Sequence, residues 1–469
     1  MRLGHAGEMR DAADPHRLAQ CRLREIGQAC KLRAAAGEDD LLAALAGEAE
    51  FLQDLADFLH QQAELVGDDA DQFGAGNAVP VVGMTGDRPG LFLARRVDRD
   101  HLAVIGRTGR GDWGHAIDEL WADIETAEIV AVADESEEGL GKAVARLKLD
   151  VAKQGTAYRD WRKMLAEVKP DIVALCMRHI DCHAEMAIAA AEAGAKGIFL
   201  EKPFVRTLAE ADDVIAACTK ANAKLTLAFV NRHSPAYAAA KDVIEAGRIG
   251  KVLEVRGRGK EDHRGGGEDL SVLGCHVLDM MADLAGEPKW CEAAVAVGGR
   301  AITKADAVDG PEGLGLIASD SITAMFGMAD GPVGYFASVR DAGLKQPNFG
   351  LTVVGTAGAI HIRPDQIPHA YFRAAPLWRV DKDFPWQPIG PEGLESPLPE
   401  ADVDRSAERA SWGRRAALDL IDAIAEDREP ETGMYAGRTT VEMITAVYAS
   451  ALSGRRVEWP LLERGNPLA

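Results

Sequence analysis

The sequence is short of cysteine pairs, of positive charge and of long apolar runs. Its seven cysteines, at positions 21, 30, 176, 182, 218, 275 and 291, contain no CxxC pair. An odd, scattered set of this kind is typical of reduced thiols and argues against a disulfide framework or a zinc knuckle. We therefore expect a cytoplasmic protein, and because no metal-ligand spacing is present we predict no metal site.

The charge balance excludes nucleic acid as a partner. The 469 residues contain 53 Lys plus Arg against 74 Asp plus Glu, a formal net charge of −21. Phosphate recognition needs clustered positive charge instead. No uninterrupted apolar run reaches the roughly 18 residues of a membrane span, and the N-terminus lacks the apolar core of a secretory signal. The sequence thus predicts neither a membrane protein nor a secreted one.

The first hundred residues differ from the rest in composition and in hydrophobic pattern, and we treat residues 1–98 as an N-terminal extension of uncertain order. Within them, residues 39–66 have apolar positions at helical spacing and favour an amphipathic helix. Three interpretations stay open for this segment. It is a dispensable extension, a start-site artefact with translation beginning near Met84, or a helical docking segment.

From His101 onward, short apolar strands alternate with helical stretches, a rhythm that predicts βαβ units and a doubly wound parallel sheet. We assign residues 99–230 to this Rossmann domain, including a helical stretch ending at Trp121. After Asn231 the runs SITAMFGM, PVGYFASV, FGLTVVG and GAIHIRP are separated by glycine-containing turns. They predict a large, mainly antiparallel open sheet in a second α/β domain over 231–460.

A glycine-rich turn follows the first predicted strand and precedes a predicted helix. Its sequence, VIGRTGRGDWGH, has Gly106, Gly109 and Gly111 where a backbone can approach a pyrophosphate. Asp134 closes the next strand, where an acidic side chain accepts hydrogen bonds from ribose hydroxyls. Glu135 follows with no arginine next to it in sequence, so NAD is favoured over NADP.

The tripeptide Glu201-Lys202-Pro203 comes directly after the predicted strand GIFL. A lysine at the carboxyl end of a parallel strand points to the crevice in which such sheets bind ligands. Alone, the tripeptide is equally compatible with a solvated loop.

Taken together, these segments resemble the Gfo/Idh/MocA oxidoreductases over residues 101 to 460. The glycine turn, Asp134, His183, the EKPF segment and GCHVLD occur in that family's order, followed by TVVGTAGAI and AVYASALSGRRVEWP. The resemblance implies a Rossmann domain, a sheet domain that forms a dimer or tetramer, and a nicotinamide cofactor acting on hydroxyls of sugars and cyclitols. It implies cofactor contacts from Gly106, Arg107, Thr108, Gly109, Arg110, Gly111, Asp134, His183, Glu201, Lys202 and Arg232.

The resemblance also implies the catalytic residues, with one departure. Lys202 matches the family's lysine and His276 its acid/base histidine, whereas the usual Asp four residues before that histidine is Val272 here. Asp269 lies seven residues before His276, on the same face if one helix spans both. We predict that Asp269 binds substrate, with an N-terminal helix residue as the alternative. Two charged loop residues, Lys260 and Arg264, complete the predicted substrate contacts.

The sequence thus predicts an NAD-dependent dehydrogenase that oxidises a secondary hydroxyl of a small polyhydroxylated substrate, namely a sugar, glycoside or cyclitol. One alternative is an NAD-recycling enzyme that oxidises a glycoside transiently and then cleaves or eliminates it. The other is a non-catalytic regulator that uses the cofactor fold to bind a partner protein.

Overall fold

The computed structural model describes residues 78–85, 88–95, 99–150, 156–329, 331–345, 348–380, 383–394 and 404–469. The chain divides into two compact units, Met1–Val97 and Asp98–Ala469. In the first unit, strands β1 (Ala78–Thr85) and β2 (Arg88–Arg95) pair antiparallel. The helix predicted over residues 39–66 lies outside the described residues.

The second unit begins with a parallel six-stranded sheet in the order β5-β4-β3-β6-β7-β8. Its strands are β3 (Asp100–Ile105), β4 (Ala127–Ala133), β5 (Ala157–Tyr158), β6 (Ile172–Leu175), β7 (Gly197–Leu200) and β8 (Lys224–Leu227). Every residue of β6, β7 and β8 is buried because helices cover both faces of the sheet. The order reverses between β3 and β6, so a ligand crevice is expected at the carboxyl ends of those strands.

Three of the four connecting helices begin where the sequence provides a side-chain cap. The four helices are α1 (Glu137–Arg146), α2 (Trp161–Val168), α3 (His183–Glu192) and α4 (Leu208–Ala221). Ser136, Asp160 and Thr207 accept hydrogen bonds from backbone amides of the first turn of α1, α2 and α4, respectively.

The prediction of a helix after the glycine turn, ending at Trp121, is wrong. Turns and a short 3₁₀ helix, Glu119–Asp123, replace it. The backbone is left-handed at Asp112 (φ 52°), Gly114 (φ 61°) and Ala116 (φ 58°), which interrupts any α-helical run. The glycine turn therefore has no α-helix N-terminus behind it.

A second sheet of ten strands follows, in the order β11-β10-β14-β15-β9-β16-β17-β18-β19, with β20 beside β10. Neighbours pair antiparallel except β15 and β9, which are parallel. The strands are β9 (Val252–Arg258), β10 (Pro288–Val297), β11 (Arg300–Ala301), β14 (Ser321–Met328), β15 (Val333–Val339), β16 (Gly350–Gly355), β17 (Ala359–Ile362), β18 (Ala370–Arg373), β19 (Gln387–Ile389) and β20 (Val457–Glu458). Strands β12 (Val308–Gly310) and β13 (Gly315–Ile317) form a separate hairpin.

The later helices connect the two sheets. They are α5 (Pro235–Glu245), α6 (Gly267–Val272), α7 (Gly274–Ala285), α8 (Arg405–Glu426) and α9 (Met434–Ser453). Helix α7 packs on the inner face of the second sheet, and α8 returns to the parallel sheet, where its Leu420 and Ile424 lie against Gly197. The predicted fold class, a Rossmann sheet followed by a mainly antiparallel open sheet, is confirmed. In the part of the chain that the structure describes, no helix has the length and apolarity to cross a bilayer.

Candidate active site

A cavity of about 440 Å³ opens at the carboxyl edge of the parallel sheet, beside α7 and the first turns of α8. Lys202, which follows β7, and His276, in the first turn of α7, both line it. The other charged or polar lining residues are His115, Glu119, Glu201, Ser406, Arg409 and Arg414. The fold therefore brings together the two residues that the sequence predicted to be catalytic.

Lys202 is held by a backbone carbonyl. The residue is 6% exposed, and its Nζ donates a hydrogen bond to the Val272 carbonyl over 3.2 Å. That carbonyl is available because the helix breaks at Leu273, and the His276 amide bonds to the Leu273 carbonyl instead. The position at which the family usually has an aspartate side chain thus contributes a main-chain oxygen here.

His276 is buried and neutral. It is 7% exposed, its ring meets Phe229 edge-on at 5.7 Å between centroids, and its Nδ1 has no hydrogen-bond partner among the described residues. Burial lowers the pKa of His276 well below its ordinary value, and the positive charge of Lys202 adds to this effect. The imidazole can hydrogen-bond a substrate hydroxyl, but it holds an extra proton poorly.

His115 is a cavity residue that the sequence-based argument missed. Its Nδ1 lies 3.2 Å from Oε2 of Glu201, which is 1% exposed. Burial alone would raise the pKa of Glu201, but the hydrogen bond and charge of His115, together with the charge of Lys202, lower it overall. The pairing spans 86 residues of sequence, and no local pattern marks it.

The glycine turn has an open backbone at Gly109 and two arginines, Arg107 and Arg110, that both pair with Asp181. An added Cβ at Gly109 (φ 81°) would meet no atom within 4 Å, whereas one at Gly111 would overlap the backbone amides of Arg178 and His179. The Nε of Arg107 is buried without a hydrogen-bond partner among the described residues, and the side chain of Arg110 is half exposed and pairs with Asp181. An unpartnered guanidinium nitrogen beside an open glycine fits the diphosphate of a dinucleotide.

Asp134 is buried at the end of β4, as predicted. Its Oδ2 accepts a 2.6 Å hydrogen bond from Thr108 Oγ1, and its Oδ1 accepts one of 2.8 Å from the Ser136 amide. Glu135 is exposed, and although no arginine is adjacent to it in sequence, two arginines lie near it in the fold. Arg159 donates to the Glu135 carbonyl and Arg107 Nη2 lies 3.9 Å from the Glu135 carboxylate.

His183 and Arg232 lie away from the cavity. The buried His183 ring is placed between the carbonyls of Met177, Pro203 and Phe204, at 2.9 to 3.0 Å, and so joins the loops that follow β6 and β7. Arg232 bonds Asp279 and Asp283 of α7 at 3.1 and 2.6 Å. The structure gives these two residues positioning contacts, not a place on the cavity wall.

The three predicted substrate contacts also lie apart from the cavity. Asp269 is fully buried and accepts hydrogen bonds from the amides of Lys260 and Glu261 and from Ser338 Oγ. Arg264 pairs with Asp262 at 2.6 Å. Because the helix breaks at Leu273, the predicted alignment of Asp269 with His276 on one continuous helix is wrong. Among the described residues no group of three or more His, Cys, Asp or Glu side chains is placed to hold a metal ion.

Two family models match the chain, together covering most of the second unit. One, described as an oxidoreductase family with an NAD-binding Rossmann fold, matches residues 101–229, and the other, its C-terminal alpha/beta domain, matches residues 241–459. The chain belongs to the Gfo/Idh/MocA oxidoreductase family. The sequence-based identification of the family is confirmed, and the family is one of oxidoreductases with an NAD-binding Rossmann fold.

Curated relatives of this Gfo/Idh/MocA protein include sugar and cyclitol dehydrogenases. Levoglucosan dehydrogenase of Pseudarthrobacter phenanthrenivorans is 30% identical over 45% of the chain and 61% of the relative. D-apiose dehydrogenase of Paraburkholderia graminis is 27% identical over 74% of the chain and 87% of the relative. Inositol 2-dehydrogenase of Salmonella typhimurium is 31% identical over 36% of the chain and 45% of the relative. The chain thus spans about three fifths of the first relative and less than half of the third.

Solved structures show the same fold. Levoglucosan dehydrogenase in complex with NADH and L-sorbose superposes with a TM-score of 0.62 at 23% identity, covering 78% of this chain and all of that one. Aldose-aldose oxidoreductase from Caulobacter crescentus, complexed with glycerol, superposes with a TM-score of 0.58 at 21% identity. The match covers 77% of this chain and 100% of that one.

Proposed function

We propose that this protein is an NAD-dependent dehydrogenase that oxidises a secondary hydroxyl of a sugar, glycoside or cyclitol. The observation that carries the proposal is the meeting of Lys202 and His276 in one cavity at the carboxyl edge of the parallel sheet. The named substrates of its relatives, levoglucosan, apiose and inositol, are all polyhydroxylated.

The cofactor would lie along the glycine turn. Gly109 and Arg107 would face its diphosphate, and Asp134 would accept the adenosine ribose hydroxyls in exchange for the hydroxyl of Thr108. A bound nicotinamide supplies a hydride acceptor. Because no α-helix begins behind the turn, the arginine side chains would have to supply the positive charge that a helix N-terminus usually offers the diphosphate.

Lys202 and His276 would act on the substrate hydroxyl from two sides. The ammonium of Lys202 can transfer a hydrogen bond from the Val272 carbonyl to the substrate oxygen and stabilise the developing alkoxide. The neutral imidazole of His276 accepts the hydroxyl proton as base, and burial then favours its onward release.

The test is a screen of purified protein with NAD against levoglucosan, myo-inositol and D-apiose, following NADH absorbance and products together. Lys202→Ala should lower turnover by about 100-fold or more, and Lys142→Ala, on the exposed face of α1, should leave it unchanged. Full turnover in Lys202→Ala would refute the assignment. Sugar products formed without net NADH would instead favour the NAD-recycling alternative.

We propose NAD over NADP because two carboxyl groups, those of Asp134 and Glu135, follow β4 and would repel a 2′-phosphate on a ribose bound there. Arg159 and Arg107 beside Glu135 favour the opposite choice, so the preference needs its own measurement. Wild-type protein should bind NAD more tightly than NADP in a fluorescence titration, and Glu135→Gln should narrow the difference. Tighter binding of NADP by the wild type would refute the proposal.

We further propose that residues 99–230 act as the cofactor domain and residues 231–460 as the substrate domain, and that the protein works in the cytoplasm.

We also propose that the chain forms a homo-dimer or homo-tetramer through the outer face of the second sheet. On that face Arg256 stacks on Tyr335 and on Trp378, whose exposure is 66%, and Val339 is also exposed. An uncovered aromatic surface of this kind favours association. Tyr335→Asp should shift the mass measured by light scattering to that of a monomer, and a wild-type monomer would refute the proposal.

A further inference from the structure

A histidine–carboxylate pair stands at the mouth of the cavity. Gly114 has a left-handed backbone (φ 61°), and an added Cβ there would overlap the Cys176 carbonyl and lie 2.7 Å from Glu201 Oε2. The chain can therefore turn closely past this carboxylate and place the next residue, His115, against it. The side chain of His115 is 47% exposed while that of Glu201 is 1% exposed, so the pair joins the interior to solvent.

The charge state of Glu201 fixes the orientation of the imidazole. Its carboxylate is ionised and can only accept hydrogen bonds, and Oε1 already accepts one of 3.0 Å from the Lys202 amide. Oε2 must therefore accept from Nδ1–H of His115. The Nε2 atom of a neutral His115 is left as a base, the arrangement in which a buried carboxylate orients a catalytic histidine.

The proposed oxidation releases a proton that the buried groups do not retain. The pKa of His276 lies well below its ordinary value because the ring is buried, and Lys202 is almost fully enclosed. His115 is the half-exposed imidazole of the same cavity. The titratable and charged groups that line this cavity with it are Glu119, Glu201, Lys202, His276, Arg409 and Arg414.

We propose that His115, oriented by Glu201, is the proton-transfer residue that carries the reaction proton from the cavity to solvent. This inference rests on the proposed dehydrogenase function. In the oxidation the carbinol C–H bond breaks and its electron pair leaves as hydride to NAD. The O–H bond breaks, the carbonyl π bond forms, and the proton passes through the cavity to Nε2 of His115 and then to water.

The test compares His115→Asn with a second histidine variant, His101→Asn, at the opposite, amino end of the parallel sheet. Asparagine retains a donor for Glu201 but cannot carry a proton. With levoglucosan, myo-inositol or D-apiose as probe, H115N should lower kcat by about 10- to 100-fold at pH 7 with little change in KM. The solvent isotope effect should rise, added imidazole should restore part of kcat, and H101N should match the wild type. Wild-type kcat in H115N, or a loss that imidazole does not restore, would overturn the proposal.

A second measurement does not depend on the substrate. Long-range ¹H–¹⁵N spectra of histidine-labelled protein, with H115N for assignment, should show neutral His115 protonated at Nδ1, and Glu201→Gln should weaken that preference. Protonation at Nε2 would overturn the relay, because the base nitrogen would then face Glu201. If the wild type oxidises none of the probes with NAD or NADP, the proposed function fails. The His115 tautomer then decides by itself whether Glu201 orients the imidazole as proposed.

Discussion

Replacing Arg232 by methionine should destabilise the protein in a pH-dependent way. Arg232 neutralises two carboxylates of α7, Asp279 and Asp283, while Tyr237 and Lys241 also bond Asp283. Burial would lower the pKa of the guanidinium, but the two carboxylates raise it overall. Among the described residues, Arg232 is the hydrogen-bond donor to the Asp279 carboxylate, through Oδ1, and the other oxygen, Oδ2, has no hydrogen-bond partner.

The magnitude follows from the buried charge. Burial raises the pKa of Asp279 to about 6, so this residue favours folding most at low pH and loses that contribution as pH rises through about 6. Without Arg232 the pKa rises further, and the carboxyl stays protonated at pH 8. The loss should be about 3–5 kcal/mol at pH 8. The loss should be smaller at pH 5 by up to about 2.8 kcal/mol, because two pH units, at about 1.4 kcal/mol each, separate pH 6 from pH 8.

Urea unfolding followed by circular dichroism at pH 5, 6.5 and 8 measures this difference. Arg232→Met/Asp279→Asn should remove most of the pH dependence, because the orphaned carboxyl is gone. Arg300→Met, which removes the exposed partner of the ion pair with Asp306, should cause little change at any pH. A pH-independent loss in Arg232→Met, or a loss below about 1 kcal/mol at pH 8, would refute the role given to the buried pair.

Two further predictions concern the packing and hydrogen bonds around helices α6 and α7. In Gly257→Ala the new methyl would overlap Val277 Cγ1, so α7 must shift, at a cost of about 1–3 kcal/mol and with reduced kcat. Gly141→Ala, with open space in α1, should be neutral or stabilising in the same unfolding and activity assays. Asp269→Asn must turn an amide group toward backbone donors or Ser338, so it should lower the free energy of unfolding by about 1–3 kcal/mol. Unchanged stability with a raised KM would instead support a direct substrate contact.

Much of the architecture could be predicted from the sequence because the pattern was local. Strands such as β7 and β14 coincide with the runs GIFL and SITAMFGM, and helix α3 begins at His183 as expected. The missing first helix could not be predicted, because Ala116 is left-handed for a tertiary reason. Trp113 packs on Gly106 and lies under the Arg146 guanidinium, and this packing holds the turn in a form that local propensity disfavours.

The site was predictable only where a motif carried it. Lys202 and His276 follow from a resemblance, and the cavity brings them together. Asp269 was assigned to the substrate by its seven-residue spacing from His276, and Arg232 to the cofactor by the family resemblance, yet the partners of both lie far away in sequence. Ser338 is 69 residues from Asp269, and Asp279 is 47 from Arg232. A buried charge is paired wherever the fold provides a partner, and spacing along the chain does not reveal where that is.

The replacement of an aspartate by Val272 has an electrostatic consequence for the whole cavity. A carbonyl bonds the Lys202 ammonium without cancelling its charge, so the lysine continues to disfavour a proton on His276. Of the two carboxylates that line the cavity, Glu119 and Glu201, the buried Glu201 lies against His115. The negative charge of Glu201 is therefore paired with the half-exposed imidazole of His115 and not with His276. In the proposed path a proton released at the buried end passes to His115, which links the loss of the usual aspartate to that path.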